Sequence, residues 1–413
     1  MRKMSSLLFL VLFPVFSILN NTNIIDSALA DVSEATTSAD DWEFIAQFEE
    51  DFQRKLKISG CPGAAVAIVK NDQVLYLKGF GVQKNGHNDL VDTETLFRVG
   101  SLSKGFAGLL TSQLVEDGYL NWDDKVKDIL PEFDLKDHAQ ANRITIQHLL
   151  SHSTGIQRHA YTDLTERGLK FERIIPSFSK LNVYGKEGEY YAYQNTAFSF
   201  IEEIIKRKTG KEYNEWLREK IFKPARMEQA SMDYKSIKKS DNVALPHVFD
   251  RRHRCVSTRL NKKYYNAVSA GGVNASISDM ANWLRVLLGN RQDMVKQSSL
   301  DFIFSPLVKN PQQHSFYGWG GVKSNYYGIG WRVVNWPDHS LVFHSGSVNG
   351  YHSDIAIDRK NKIGICILYS TNDRYADLVI PDFFRDYYQH QKDLKSGKKL
   401  IVDCQDKENK VIS

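Results

Sequence analysis

A serine with a lysine three residues further on shares one face of a helix with it, so the amine can take the hydroxyl proton and make the oxygen a nucleophile. The pattern occurs four times, at Ser101/Lys104, Ser177/Lys180, Ser236/Lys239 and Ser396/Lys399. Surroundings separate them. Ser236 lies in the polar run KSIKKS and Ser396 in a charged tail, where nothing would strip water from a lysine; Ser177 follows Pro176 and no amphipathic helix succeeds it. Only Ser101 is followed by apolar residues at helical spacing, Phe106, Leu109, Leu110 and Leu114. At a helix start its own N–H is unpaired and the helix dipole favours an anion, as an oxyanion requires. Burial would lower the pKa of Lys104 and let it act as a base. On these grounds alone Ser101 is either a nucleophile or an ordinary helix N-cap.

Such a pair needs a framework. Gly63 to Val82 predicts a β-hairpin turning at Asn71-Asp72, and the other end of the chain predicts strands at Gly328–Val334, Leu341–His344, Ser353–Asp358 and Ile363–Ser370. Between these ends lie helical patterns at Ser101–Asp117, Ile146–Ser151, Thr196–Thr209 and Ser278–Leu288, and Tyr375–Gln391 predicts an aromatic-rich helix after the last strand. The economical arrangement is an α+β sandwich: one antiparallel sheet built from both termini, flanked by terminal helices, with a mostly helical region inserted and ligands in the seam.

Composition bounds the rest. The 413 residues are 42% hydrophobic, 25% charged and 12% aromatic, which excludes a disordered or collagen-like chain, and a net charge of +5 is no nucleic-acid signature. Met1-Arg2-Lys3, an apolar run of 13 residues from Leu7 to Leu19 and then Ala28-Leu29-Ala30 predict a secretory signal over residues 1–30, with an uncleaved anchor as the alternative. Residues 31–390 then form the catalytic domain and 391–413 a charged tail, in a secreted or periplasmic protein without integral membrane contact after cleavage. Cys61, Cys255, Cys366 and Cys404 lie far apart without C-x-x-C, so no zinc or redox motif is expected and the disulfide pairing stays open.

The string FRVGSLSKG at Phe97–Gly105 resembles the nucleophile motif of the serine β-lactamase-like hydrolases, in the branch holding class C β-lactamases, esterases and D-peptidases. Further segments agree in order: ITIQHLLSHSTGI (144–156), YAYQNTAFSFIEEIIKRKTG (191–210), AGGVNASISDMANWL (270–284), then YGIGW and HSGSVNGYHSDIAI. The match covers roughly residues 45–390 and implies a β-lactamase/transpeptidase-like fold. Y-x-N also occurs at Tyr119 and Tyr264, where the tyrosine is expected to be a packing residue; the resemblance selects Tyr193-Gln194-Asn195. It implies that Tyr193, its pKa lowered by Lys104, shuttles the proton, and that Asn195 holds Lys104 and donates to a substrate carbonyl.

A literal Lys208-Thr209-Gly210 ends the helix from Thr196 and is expected to be a helix stop. The family's third motif falls instead at His344-Ser345-Gly346. There Gly346 would admit substrate backbone, Ser347 N–H would be the second oxyanion donor beside that of Ser101, and His344 would stand where true β-lactamases carry lysine. A neutral imidazole anchors a carboxylate less well than an ammonium. The resemblance therefore implies a cofactor-free, metal-free acyl-enzyme hydrolase, ranked as a D-peptidase or carboxylesterase ahead of a β-lactamase. Its partner would be a small molecule or peptide, including cell-wall fragments, and no nucleic acid. A penicillin-binding or regulatory protein with slow turnover is the alternative of another class. His148 and His152 are four apart but lack the H-E-x-x-H glutamate, which makes them scaffold, and Arg251-Arg252-His253-Arg254 is expected to be a solvated loop.

Overall fold

The computed structural model describes residues 39–311, 317–372 and 376–396. Contacts divide the chain between Trp42 and Glu43; the first unit contributes only Ala39–Trp42, the opening of helix α1 (Ala39–Ser59), and the second holds the sheet and the other helices. The signal expected at residues 1–30, residues 397–413 of the tail and Cys404 lie outside the described residues.

Eight strands form one antiparallel sheet: β1 (Gly63–Lys70), β2 (Gln73–Gly81), β3 (Val308–Lys309), β4 (Ser324–Tyr327), β5 (Arg332–Asn335), β6 (Ser340–Val348), β7 (Tyr351–Asp358) and β8 (Ile363–Tyr369). Their spatial order is β2-β1-β8-β7-β6-β5-β4-β3, with Ala64 opposite Tyr369 where the two ends of the chain meet. Strands alternate side chains between faces. Ala64, Val66, Ile68, Ile365 and Ile367 therefore pack on one side with Phe44, Phe48 and Phe52 of α1 and with Phe383 of α5 (Ala376–Lys395). Ala65, Ala67, Val69, Cys366 and Leu368 face the helical layer.

Three helices of that layer matter for the site: α2 (Ser103–Glu116), α3 (Asn195–Thr209) and α4 (Ile277–Leu287). The amphipathic pattern expected of α2 understates its burial: Ser103 to Leu114 are all buried, as in a helix at the centre of its layer. Phe106 stacks on Trp283 of α4 with ring centroids 4.3 Å apart. Helix α3 ends on Gly210 at φ 73°, so Lys208-Thr209-Gly210 is a helix stop. The C-terminal helix runs to Lys395, past the boundary expected at 390. Cys61 and Cys366 are buried free thiols, and Arg251–Arg254 form the exposed turn of a small hairpin, His247–Phe249 with Cys255–Ser257.

Candidate active site

Backbone geometry delivers Ser101. Phe97–Arg98 pair with Asn274–Ala275, and Val99 N–H donates to Val273 O at 3.1 Å, which holds the chain up to the turn. Gly100 follows in the left-handed region at φ 50°, where a Cβ would also stand 2.9 Å from Ser347 N; glycine meets both demands. Gly100–Leu102 make a 3₁₀ turn that runs into α2. Neither that turn nor α2 has a side-chain cap, so Ser101 is not an N-cap. Its Oγ instead accepts from Tyr193 OH at 2.9 Å and lies 3.3 Å from Lys104 Nζ.

Lys104 is fully buried, its Nζ 4.8 Å above the Tyr193 ring and 5.4 Å above that of Phe198. Burial, and then the nearby Arg332 charge, hold its pKa well below a lysine's ordinary value. A neutral amine has two N–H bonds and one lone pair. Asn195 Oδ1 at 2.8 Å and Ala270 O at 2.7 Å accept the two N–H bonds, which leaves the lone pair for the Ser101 hydroxyl. Asn195 is the first residue of α3, and Ala270 opens the segment AGGVNASISDMANWL; Ser269 beside it donates from both N and Oγ to Glu202 of α3, at 2.7 and 2.5 Å.

Tyr193 departs from expectation. Burial pushes its pKa up, against the opposing Arg332 charge and its bond to Ser101, so the phenol keeps its proton. With Lys104 uncharged, the cation expected to lower it is missing. His152 fixes the tyrosine: its Nδ1 accepts from Gln194 N at 3.2 Å, and its ring centroid is 4.3 Å from that of Tyr193. His148 caps the helix Ile146–Leu150 through Thr145.

The third motif lies on β6, beyond its pairing with β5. A Cβ on Gly346 would come within 2.3 Å of Val99 O and 2.8 Å of Ser101 N. The glycine therefore lets the strand close on the nucleophile turn, a tighter demand than the expected one of admitting substrate. The approach is mutual, since a Cβ on Gly100 would stand 2.9 Å from Ser347 N, so the backbones that carry the Ser101 and Ser347 N–H groups lie against each other.

His344 needs a correction. Its side chain is fully buried, Nδ1 is 2.8 Å from Ser345 O, and Nε2 takes Tyr327 OH at 2.9 Å and Arg332 Nη1 at 3.2 Å. The ring has no open nitrogen for substrate, and burial followed by the Arg332 charge keeps it neutral. What it holds is Arg332, which the sequence pattern did not single out. This half-buried guanidinium lies 5.5, 5.7 and 5.6 Å from the rings of Tyr193, Tyr317 and Tyr327 and, among the described residues, meets no carboxylate.

Residues 48–385 match the family model described as Beta-lactamase. Protein flp of Staphylococcus aureus strain N315 is 24% identical over 350 residues, 84% of this chain and 67% of that protein. Unguisins hydrolase ungD' of Aspergillus campestris is 24% identical over 379 residues, 86% of this chain and 70% of its own length. The octameric penicillin-binding protein homologue from Pyrococcus abyssi superposes with a TM-score of 0.71 at 24% identity, over 86% of this chain and 78% of that one, and so shares the fold. Since the family model spans both halves of the sheet and the helical layer between them, this chain belongs to the Beta-lactamase family of serine hydrolases.

Proposed function

We propose that the protein hydrolyses amide or ester bonds through an acyl-enzyme on Ser101, and that its substrates carry a free carboxylate beside the scissile carbonyl, as peptides ending in a D-amino acid do. In this reading Lys104 takes the Ser101 proton as the oxygen attacks, and the Ser101 and Ser347 N–H groups hold the oxyanion. Tyr193 gives its proton to the leaving group as the scissile bond breaks and recovers one from Lys104, and water then attacks the acyl carbonyl, which releases the acid product and returns a proton to Ser101 Oγ.

The observation that supports the substrate class is Arg332. A guanidinium among tyrosine rings, bonded to a neutral imidazole and facing no acid among the described residues, is an open bidentate partner for a carboxylate. It also restores the charge whose absence at His344 argued against β-lactams. A β-lactam carboxylate would find the same partner, so β-lactam turnover is the second reading.

The test sets a D-alanyl dipeptide, nitrocefin and p-nitrophenyl acetate side by side. Arg332→Ala should raise KM for the carboxylate-bearing substrates about 10- to 100-fold, the worth of a charged hydrogen-bonded pair, and leave KM for p-nitrophenyl acetate where it was, while kcat for all three shares whatever change the lost charge makes at Lys104. Equal effects on KM for all three would refute the carboxylate site. Labelling by a fluorescent penicillin with no turnover of any substrate would favour the receptor alternative.

A further inference from the structure

Lys104 presents its lone pair to Ser101 only while both of its N–H bonds are accepted elsewhere, and one acceptor, the Asn195 amide, has no inherent sense. Turned over about its terminal bond it would offer Nδ2 in place of Oδ1. The two segments that settle its sense, 161–188 and 243–265, carry no legible pattern in the sequence. Glu166 closes the short helix Thr162–Glu166, with Oε2 2.7 Å from Lys263 Nζ. Its Oε1 accepts from Tyr264 OH at 3.1 Å. The phenol oxygen, its proton committed to the carboxylate, accepts from Asn195 Nδ2 at 2.9 Å. From Lys104 through Asn195 and Tyr264 to Glu166 every bond is donated in the same direction, which leaves Asn195 Oδ1 facing Lys104. Tyr264, expected to be a packing residue, is 8% exposed and sits at φ 65°, a conformation bulky side chains seldom adopt.

We propose that Tyr264, with its proton drawn off by Glu166, is a positioning residue for acylation: it fixes the sense of the Asn195 amide and thereby aims the Lys104 lone pair at Ser101. The inference rests on the assignment of Ser101 and Lys104 made above. It adds two groups that touch neither substrate nor nucleophile.

Glu166→Gln tests it without changing shape. Lys263 claims the single amide oxygen, so the glutamine turns its N–H toward the phenol. The Tyr264 proton then points to Asn195, the Asn195 amide turns over, and Nδ2 donates into the Lys104 lone pair. Turnover of p-nitrophenyl acetate should fall about tenfold, part of the roughly 10²–10⁴ that a general base contributes. The acid limb of the pH–rate profile should move to lower pH, because the ammonium form of Lys104 loses an acceptor. Lys104 is faced also by Tyr193, His152, His344 and Arg332, none of which the substitution touches. Tyr264→Phe should act in the same direction, and the double variant should be no slower than the slower single one. Wild-type turnover with an unmoved acid limb in Glu166→Gln, or additive losses in the double variant, would overturn the proposal while leaving the hydrolase intact. Failure of a fluorophosphonate probe to label Ser101 in the wild type would overturn the hydrolase assignment and this inference with it.

Discussion

Proton bookkeeping at neutral pH requires Lys104 to reach the site without its proton, and the structure supplies the conditions: complete burial, a guanidinium nearby, and two oxygens that accept N–H bonds without carrying charge. The sign follows. With Lys104 as the proposed base the protonated amine is the inactive form, so kcat/KM should rise with pH through a midpoint well below the ordinary lysine value of about 10.4. Tyr193 has the opposite shift and keeps its proton throughout that range. Tyr193→Phe should therefore lower kcat by about 10²–10⁴ while the acid limb stays where it was, since the limb belongs to Lys104. A pH series on p-nitrophenyl acetate checks both statements, and disappearance of the acid limb in Tyr193→Phe would move the base role to the phenol.

Elements place these groups by close approach of backbone to backbone. Gly346 of β6 meets the nucleophile turn so tightly that a methyl group there would strike Val99 O and Ser101 N, neither of which is the tip of a flexible chain. In Gly346→Ala the strand must back away and take Ser347 N with it. The expected loss is about 10²–10³ in kcat, the worth of one oxyanion donor, with near-ultraviolet circular dichroism unchanged. An alanine variant with wild-type kcat would show that the two nitrogens do not act together.

Such contacts also mark how far a sequence can be read. The hairpin at 63–81 and the helix from 195 follow from periodicity, because burial of one face repeats along the chain. Ser101 and Lys104 are three residues apart, and Tyr193 stands next but one to Asn195, so local spacing exposes them. Arg332 and the pair Glu166–Tyr264 have no such signature. Their partners lie on other elements, and one arginine, glutamate or tyrosine looks like any other until the fold brings it inward. The short strands β3 and β4 escaped for a related reason: Ser324-Asn325-Tyr326-Tyr327 lacks aliphatic alternation and is held by its neighbours. His344 was found, but its neighbours were not, and these turn it from a substrate contact into a support for Arg332.

At the scale of the whole molecule, protonation of a half-buried acid joins folding to pH. Burial pushes Glu202 up to about 7 from an ordinary 4.5, against its bonds from Ser269, so the folded protein holds a proton that the unfolded chain would release. Whatever stability this group leaves intact below the unfolded value is lost as pH rises through 7. Glu202→Gln keeps an oxygen for the Ser269 bonds and removes the titration. The difference in Tm between variant and wild type should therefore favour the variant more near pH 8 than near pH 4, as thermal unfolding at the two values would show. The same difference at both would mean that Glu202 titrates alike in the folded and unfolded states.

The order of strands in the sheet carries one more consequence. β1 lies between β2, its immediate successor, and β8, which arrives near the end of the chain, and Ser101 precedes Ser347, the second oxyanion donor of the proposed mechanism, by more than half the sequence. A ribosome making this protein exposes the serine, the lysine and the tyrosine long before β6 exists. Closing so long a loop costs entropy that is recovered only when β8 docks on β1. On the proposed mechanism a chain that stops before β6 lacks the Ser347 donor, so its Ser101 is expected to show no hydrolytic activity.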